Sequence, residues 1–147
     1  MTKVLMDVNQ DIELKQIAYQ EANNITRYLE NYRFAMVRSR DQVVVGRLNL
    51  RIGTNEEVYL FGHIGYEVYE PFRGNHYALQ ACEIAFQFAK VVHQMNEWII
   101  TCNPDNFASR KTIERLSGRL IEICPVPKDS EMYIKGDREK CIFVINR

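Results

Sequence analysis

The sequence has no net charge and no long hydrophobic run. Its 147 residues contain nineteen basic and nineteen acidic side chains, so no overall field draws the chain toward nucleic acid or an anionic membrane. No apolar stretch reaches the ~18 residues that a membrane span needs, and no charged and then apolar leader opens the sequence. We therefore expect a cytoplasmic protein whose partners include neither nucleic acid nor membrane.

The sequence also lacks paired cysteines, internal repeats and linkers rich in Gly or Pro. Its four cysteines include no C-x-x-C pair, which favours free, mostly buried thiols: Cys82, Cys102, Cys124 and Cys141. The three histidines lack the spacing of metal ligands, so no metal is expected. With 147 residues and no linker, the chain is expected to form one domain over residues 1–147.

Hydrophobic alternation predicts strands in the first half of the chain. The alternation is clearest over residues 43–52, where Leu48 and Leu50 share one face and Arg47 and Asn49 share the other. Residues 22–30 are polar and predict a short helix or a loop. The predicted strands are 12–17, 33–38, 43–52 and 63–69, and Asp41 with Gln42 predicts a hairpin turn between the second and third of these.

A long amphipathic helix is the clearest element of the second half. Apolar residues recur at alternating spacings of three and four over about five turns: Ala78, Ala81, Ala85, Phe88, Val92 and Met95. A short apolar strand, 98–102, follows this helix. Because strands joined through a helix usually pair in parallel, we expect 98–102 to lie parallel to 63–69.

A second helix and two closing strands complete the predicted order. Asn103 followed by Pro104 is typical of a helix start, with Asn103 as N-cap, and Gly118 marks the end of that helix. Residues 120–126 and 141–146 predict the last two strands around a polar loop. The sequence thus predicts a mixed α/β layer with helices packed on a sheet.

The junction between the strand 63–69 and the long helix has the character of an anion site. Backbone N–H groups at a helix N-terminus have no intrahelical partner, and they attract negatively charged ligands. Arg73 adds a positive charge, while Gly74 and the small Ala78 allow a ligand to approach the backbone closely. The alternative is an ordinary strand-to-helix turn that binds nothing.

Two segments resemble the GNAT superfamily of acetyl-CoA-dependent N-acetyltransferases. Residues 73–78 resemble its pyrophosphate loop, with the pattern Gln/Arg-x-x-Gly-x-Gly/Ala, and fit it at the first and last positions. Residues 103–109, Asn-Pro-Asp-Asn-Phe-Ala-Ser, resemble the segment in which an Asn and a small residue contact the pantetheine arm. The strand 64–68 is most similar to the ribosomal-protein and small-amine branch, and the whole resemblance covers about residues 44–120.

This resemblance implies an acyl-CoA N-acyltransferase fold and acetyl-CoA as the co-substrate. In that fold a mixed, mostly antiparallel sheet carries helices on both faces, and a central parallel pair, here 64–68 and 98–102, splays apart to admit the donor. Backbone groups of Tyr66 and Val68 would pair with pantetheine. The full set of implied donor contacts is Tyr66, Val68, Arg73, Gly74, Asn75, His76, Tyr77, Ala78, Asn103, Asn106 and Ser109.

The implied reaction is direct attack by a primary amine on the thioester in a ternary complex. An amide near Val68 would stabilise the oxyanion. Glu67 and His63, on the strand that leads to the acyl group, are the candidate general bases, and Tyr133 is a candidate acid. The resemblance implies an amine of a small molecule or of a protein, and it allows a homodimer.

Two positions depart from the family pattern. His76 stands where the loop usually has glycine, and Ile113 stands where many members have a tyrosine that protonates the departing thiolate. Because Ile113 donates no proton, water, Tyr133 or departure as a free thiolate must replace that acid. The same departure supports the alternative hypothesis of a non-catalytic acyl-CoA-binding module.

Overall fold

A computed structural model of the chain describes residues 2–147. Its strands are β1 (Val4–Met6), β2 (Ile12–Gln20), β3 (Glu30–Arg38), β4 (Val43–Ile52), β5 (Ile64–Val68), β6 (Glu97–Cys102), β7 (Arg119–Pro125) and β8 (Glu139–Asn146). Its helices are α1 (Val58–Phe61), α2 (Tyr77–His93), α3 (Phe107–Arg115) and α4 (Glu131–Ile134), with a 3₁₀ turn over Glu70–Phe72. No helix of the described residues is long and apolar enough to cross a membrane.

The strands form two sheets rather than one. Five of them follow chain order, β1-β2-β3-β4-β5, and the other three are ordered β6-β8-β7. Every ladder among the described strands is antiparallel. The mixed α/β class is confirmed, but the predicted parallel pairing of the fifth and sixth strands is not observed as a ladder, because β5 and β6 are the edge strands of two separate sheets.

Helix α2 covers the five-stranded sheet and forms the centre of the core. Its buried face follows the predicted spacing, and the helix ends at His93, where Gln94 adopts a left-handed conformation with φ of 55°. Aromatic rings extend this packing into both sheets, since Phe88 meets Tyr32 of β3 at 5.0 Å and Phe86 meets Trp98 of β6 at 4.6 Å between ring centroids. The core therefore packs both sheets against α2, and Ile113 of α3 adds to it.

Most predicted strand bounds lie within two or three residues of those observed. The predicted start of the second helix was wrong. Asn106, not Asn103, caps α3, because its side-chain oxygen accepts a hydrogen bond from the N–H of Ser109 at 3.2 Å. Pro104 consequently lies in a turn before the helix. Residues 22–29 form turns with one isolated bridge, Asn23 to Tyr28, which agrees with the loop that was one of the two alternatives predicted there.

Candidate functional site

The two sheets are joined by one buried histidine. The N–H of His63 donates to the carbonyl of Ile99 at 2.7 Å, and the N–H of Ile99 donates to Nδ1 of His63 at 2.9 Å. Its Nε2 lies 2.7 Å from the carbonyl oxygen of Gly53, to which it therefore donates. Beyond this joint β5 and β6 share no ladder, so a gap opens between the strand 64–68 and the end of β6.

The register of β4 and β5 decides which backbone groups face this gap. The backbone N–H of Tyr69 donates to the carbonyl of Val45, and the N–H of Arg51 donates to the carbonyl of His63. In an antiparallel ladder hydrogen-bonded and non-hydrogen-bonded pairs alternate, so every second residue of β5 counted from these positions is hydrogen-bonded to β4. Tyr66, opposite Leu48, is a non-hydrogen-bonded position, as is Val68. Their N–H and C=O groups consequently point away from β4 and into the gap, where an extended ligand can pair with them.

Arg73 already contacts one of these groups. Its Nε donates to the carbonyl oxygen of Val68 at 3.0 Å, while the side chain remains exposed. The arginine that follows the strand thus lies at the open end of the gap, between the free edge of β5 and the start of α2. Because the side chain is exposed, its guanidinium can exchange this carbonyl for an anion.

The loop of residues 73–78 ends in an uncapped helix start. His76 precedes the first helical residue in the left-handed conformation, with φ of 60°, and Gly74 has φ of 88°. His76 therefore tolerates the backbone angles that the family pattern assigns to glycine. The first intrahelical bond of α2 is donated by Gln80 to His76, which leaves the N–H groups of residues 77–79 without intrahelical partners.

Helix α3 forms the opposite wall. Ser109 lies in its first turn, and its Oγ lies 2.8 Å from the hydroxyl of Tyr66, so the two walls of the gap meet through side chains. Farther along α3, Arg115 donates to Nδ1 of His76 at 2.8 Å and links the helix to the loop. Three further predicted donor contacts lie nearby: Asn75 is in the loop, and Tyr77 and Ala78 are in the first turn of α2.

Asn103 directly follows the last residue of β6. Its Nδ2 donates to Asp137 at 2.8 Å, and Lys140 lies 3.2 Å from the same carboxylate group. Burial alone would raise the pKa of Asp137, but the hydrogen bonds from Asn103 and Lys140 and the positive charges of Lys140 and Lys135 together lower that pKa. Because Nδ2 is held by Asp137, the buried Oδ1 of Asn103 is left without a partner in the described structure.

The three candidate catalytic side chains are in different surroundings. His63 is 5% exposed with both ring nitrogens engaged, so the prediction of a free general base at this position does not fit its geometry. Burial lowers the pKa of His63. Glu67 is exposed on the other face of β5 and lies 3.3 Å from Arg47. Tyr133 lies on α4 and is covered by Arg138, 3.8 Å above its ring.

Ile113 is fully buried in α3, which explains how the helix tolerates its departure from the family pattern. A Cβ at Gly118 would lie 2.5 Å from Cγ2 of Ile113, so glycine is required there for the helix end to pack against it. Ser117, the residue before, adopts φ of 66° in the left-handed region. Position 113 thus serves the core.

Two residues of the site could not be recognised from the sequence. Asp137 lies in the polar loop after β7 and orients Asn103, while Arg115 reaches the loop across the helix pair. Each is far in sequence from its partner, and no local pattern signals either contact. The buried cysteines, by contrast, are as expected, and burial raises the pKa of Cys102 to about 11, which disfavours a reactive thiolate.

Comparison with known proteins supports one family. The profile of the acetyltransferase (GNAT) domain matches residues 5–119. No curated protein matches the chain at a significant level.

Among solved structures, the ribosomal L7/L12 alpha-N-protein acetyltransferase RimL is 16% identical, with a TM-score of 0.71 over 100% of this chain and 96% of that one. An acetyltransferase from Salmonella typhimurium that modifies the N-terminal serine of L7/L12 is 20% identical, with a TM-score of 0.62 over 80% of this chain and 64% of that one.

A third neighbour was solved with a donor molecule. The microcin C7 self-immunity acetyltransferase MccE, in complex with acetyl-CoA and AMP, is 16% identical, with a TM-score of 0.62 over 80% of this chain and 61% of that one. The chain spans 61 to 65% of the length of several such structures. At these identities the neighbours establish the fold, and the profile match establishes the lineage: the chain belongs to the GNAT acetyltransferase family.

Proposed function

We propose that the protein transfers an acetyl group from acetyl-CoA to a primary amine by direct attack in a ternary complex. The observation that carries this proposal is the free edge of β5, with the backbone groups of Tyr66 and Val68 facing the gap beside an uncapped helix start. Family membership supplies the donor, since acetyl-CoA is the acetyl source of the family. The neighbours that act on ribosomal proteins favour a protein amine over a small molecule.

The donor would lie along the gap with its phosphates at the loop. The free amides of residues 77–79 and the side chain of Arg73 would hold the pyrophosphate, and Gly74 and Asn75 would shape the loop around it. The arm would add to the free edge of β5 and contact Asn106 and Ser109 from α3. The unpartnered Oδ1 of Asn103 fits an amide N–H of such a ligand, because an orphaned buried acceptor costs about 1–3 kcal/mol.

The reaction needs a neutral amine, a polarised thioester and an exit for the thiol. The N–H of Val68 faces the gap and would stabilise the oxyanion that forms when the amine attacks. Glu67 lies one residue earlier on the opposite face, so it would accept the proton of the amine through water. The carbon–nitrogen bond forms, the carbon–sulfur bond breaks, and the released thiolate takes a proton from water.

A non-catalytic acyl-CoA-binding module is the second candidate. The buried Ile113 favours it, because the proton donor of many family members is missing. Both candidates require donor binding, and they differ only in turnover. The CoA thiolate can leave at neutral pH without an acid to protonate it, so the enzyme is the preferred proposal.

Binding and turnover are measured separately to test the proposal. Saturating acetyl-CoA is expected to raise the melting temperature by about 5 °C, because a ligand specific to the native state stabilises it by about 2.7 kcal/mol at 100 times its dissociation constant. Thiol release is then followed over a panel of amines and of peptides with free N-termini. A melting shift without thiol release on any acceptor would leave the binding module; no shift would exclude both candidates.

Replacing Ala78 with glutamate tests the phosphate position. A carboxylate in the first turn suits the helix dipole, so the fold is preserved, but it would repel the pyrophosphate and raise the KM for acetyl-CoA about tenfold. The control is Ala78→Gln, which adds the same bulk without charge and is expected to change KM far less. Equal KM values for the two variants, measured in steady-state assays, would place the phosphates elsewhere.

A further inference from the structure

Arg115 reaches from the last turn of α3 to the loop at the start of α2. Its Nη1 lies 2.8 Å from Nδ1 of His76, the residue directly before the uncapped helical turn. Because a guanidinium only donates hydrogen bonds, Nδ1 is the acceptor, and the imidazole carries its proton on Nε2. The ring is therefore neutral, and the positive charge of Arg115 lies beside the loop that leads to the free amides of residues 77–79.

The charge of Arg115 has no acidic partner in the part of the chain that the structure describes. Its side chain is exposed and takes part in none of the ion pairs between described residues. Arg73, at the β5 end of the same loop, is also exposed and donates to a neutral carbonyl. Two guanidiniums therefore flank the start of α2, and the described fold neutralises neither of them with a carboxylate.

The end of α3 does not require Arg115 as a cap. A positive side chain in the last turn of a helix often binds the terminal carbonyls of that helix. Here the backbone supplies such contacts, since the carbonyl of Ile113 accepts from the N–H groups of Leu116 and Gly118. Arg115 instead donates to His76, on another element. Its contact thus serves the loop rather than the helix end.

His76 holds its position at a conformational cost. Its φ of 60° lies in the left-handed region, which glycine adopts freely and a residue with a Cβ does not. The family pattern has glycine at this place in the loop. Glycine would offer Arg115 no side chain, whereas the imidazole holds the guanidinium at the loop. The histidine therefore supplies a contact that the usual loop residue cannot make.

We propose that Arg115, positioned by His76, binds the phosphate groups of the donor and makes the protein select a donor that carries the nucleotide. This inference rests on the proposed function, which places the pyrophosphate at residues 77–79. The contact with His76 uses one N–H of the guanidinium and leaves others to donate to phosphate oxygens. Arg73 binds from the β5 side and Arg115 from the α3 side, so the anion is held between two guanidiniums.

Replacing Arg115 with glutamine tests the contact with phosphate. We expect the dissociation constant of CoA, measured by isothermal titration, to rise about tenfold, the loss expected for one charge-assisted hydrogen bond. The melting temperature without ligand should change by less than about 2 °C, because the side chain is exposed. The matched control is Arg33→Gln, which removes the same charge from an exposed side chain of β3 and should leave the affinity unchanged.

A double-variant cycle tests the positioning role of His76. His76→Gly allows the same backbone conformation but removes the acceptor, so the dissociation constant of CoA should rise about threefold. Adding Arg115→Gln to this variant should give the affinity of Arg115→Gln alone, because His76 acts only through Arg115. Losses that multiply in the double variant would show that His76 does not position Arg115.

Shortened ligands identify the phosphate that Arg115 binds. Dephospho-CoA lacks the 3′-phosphate, and pantetheine lacks every phosphate. A loss in Arg115→Gln that persists with dephospho-CoA assigns the contact to the pyrophosphate, and a loss confined to CoA assigns it to the 3′-phosphate. Unchanged affinity of Arg115→Gln for CoA would overturn the inference, as would an equal loss for pantetheine, read from the rise in melting temperature that each ligand produces.

The same measurements separate this inference from the proposed function. If the wild-type chain binds CoA but releases no thiol on any acceptor, the proposed reaction fails while the role of Arg115 in binding is still decided by the titrations. If the wild-type chain does not bind CoA, the proposed function and the inference both fail.

Discussion

Replacing His63 with leucine is expected to lower the free energy of unfolding by about 2 kcal/mol, because two part-buried hydrogen bonds to backbone groups are lost. These groups are the N–H of Ile99 and the carbonyl of Gly53. His63→Asn places an acceptor where Nδ1 lies, and His63→Gln places a donor where Nε2 lies. Each of these variants keeps one of the two hydrogen bonds, so its free energy of unfolding should fall by about half as much. Urea denaturation of the three variants measures the difference, and equal losses in all three would contradict the two-bond account.

The same histidine makes stability depend on pH in a defined direction. Burial lowers its pKa in the folded state, so the unfolded chain binds a proton at a higher pH than the folded one. The stabilisation is complete above the unfolded pKa of about 6.5 and is lost as the pH falls from there toward the folded pKa. As the pH is lowered from 8 to 5, the urea concentration at the unfolding midpoint should fall more steeply for the wild type than for His63→Gln. The same pH dependence in both proteins would exclude His63 as its cause.

Replacing Gly46 with alanine should cost about 3 kcal/mol of stability by overpacking. A Cβ there would overlap the carbonyl oxygen of Glu67 and lie 3.1 Å from both Sδ of Met36 and Cα of Val68. The added methyl group would push β5 toward the gap, so the affinity for acetyl-CoA should fall as well. Gly65→Ala is the matched control on the facing strand, because a Cβ at Gly65 meets nothing within 4 Å.

Thermal unfolding and acetyl-CoA titration of the two glycine variants decide this prediction. The Gly46 variant should be less stable than the Gly65 variant and bind the donor more weakly. Comparable melting temperatures would show that the strand yields to the methyl group without strain, and unchanged donor affinity would separate the position of β5 from the donor site.

The elements predicted well from the sequence are those with a long, regular period. Helix α2 repeats its apolar spacing over about five turns. In β4 apolar and polar residues alternate over ten residues, and the predicted bounds of this strand match those observed. Helices α1 and α4, of four residues each, are too short to show a period. The parallel pairing of β5 with β6 was expected from the connecting helix, but the two strands form no ladder and lie at the edges of two separate sheets, which no local pattern indicates.

For the candidate site, the sequence predicted the place of each residue in the fold better than its contacts. The loop of residues 73–78 and the strand before it lie as expected around the start of α2. The role of His63 depends on Gly53 and Ile99, 10 and 36 residues away, and the local sequence does not reveal such partners. The roles of Glu67, Tyr133 and the donor-binding residues stay predictions. The acceptor also stays open, because its contacts would come from the irregular loops.

The hydrogen bond from Arg73 to the carbonyl of Val68 affects how much the pantetheine arm and the phosphates of the donor would each contribute to its binding affinity. A ligand that pairs with this carbonyl exchanges one hydrogen bond for another and gains little there, since the carbonyl is already satisfied. The released guanidinium, however, gains an anionic partner only if the ligand carries phosphate. If the donor binds as proposed, a thioester of pantetheine without the nucleotide would displace Arg73 without giving it a phosphate partner, so we expect such short donors to bind more weakly than acetyl-CoA.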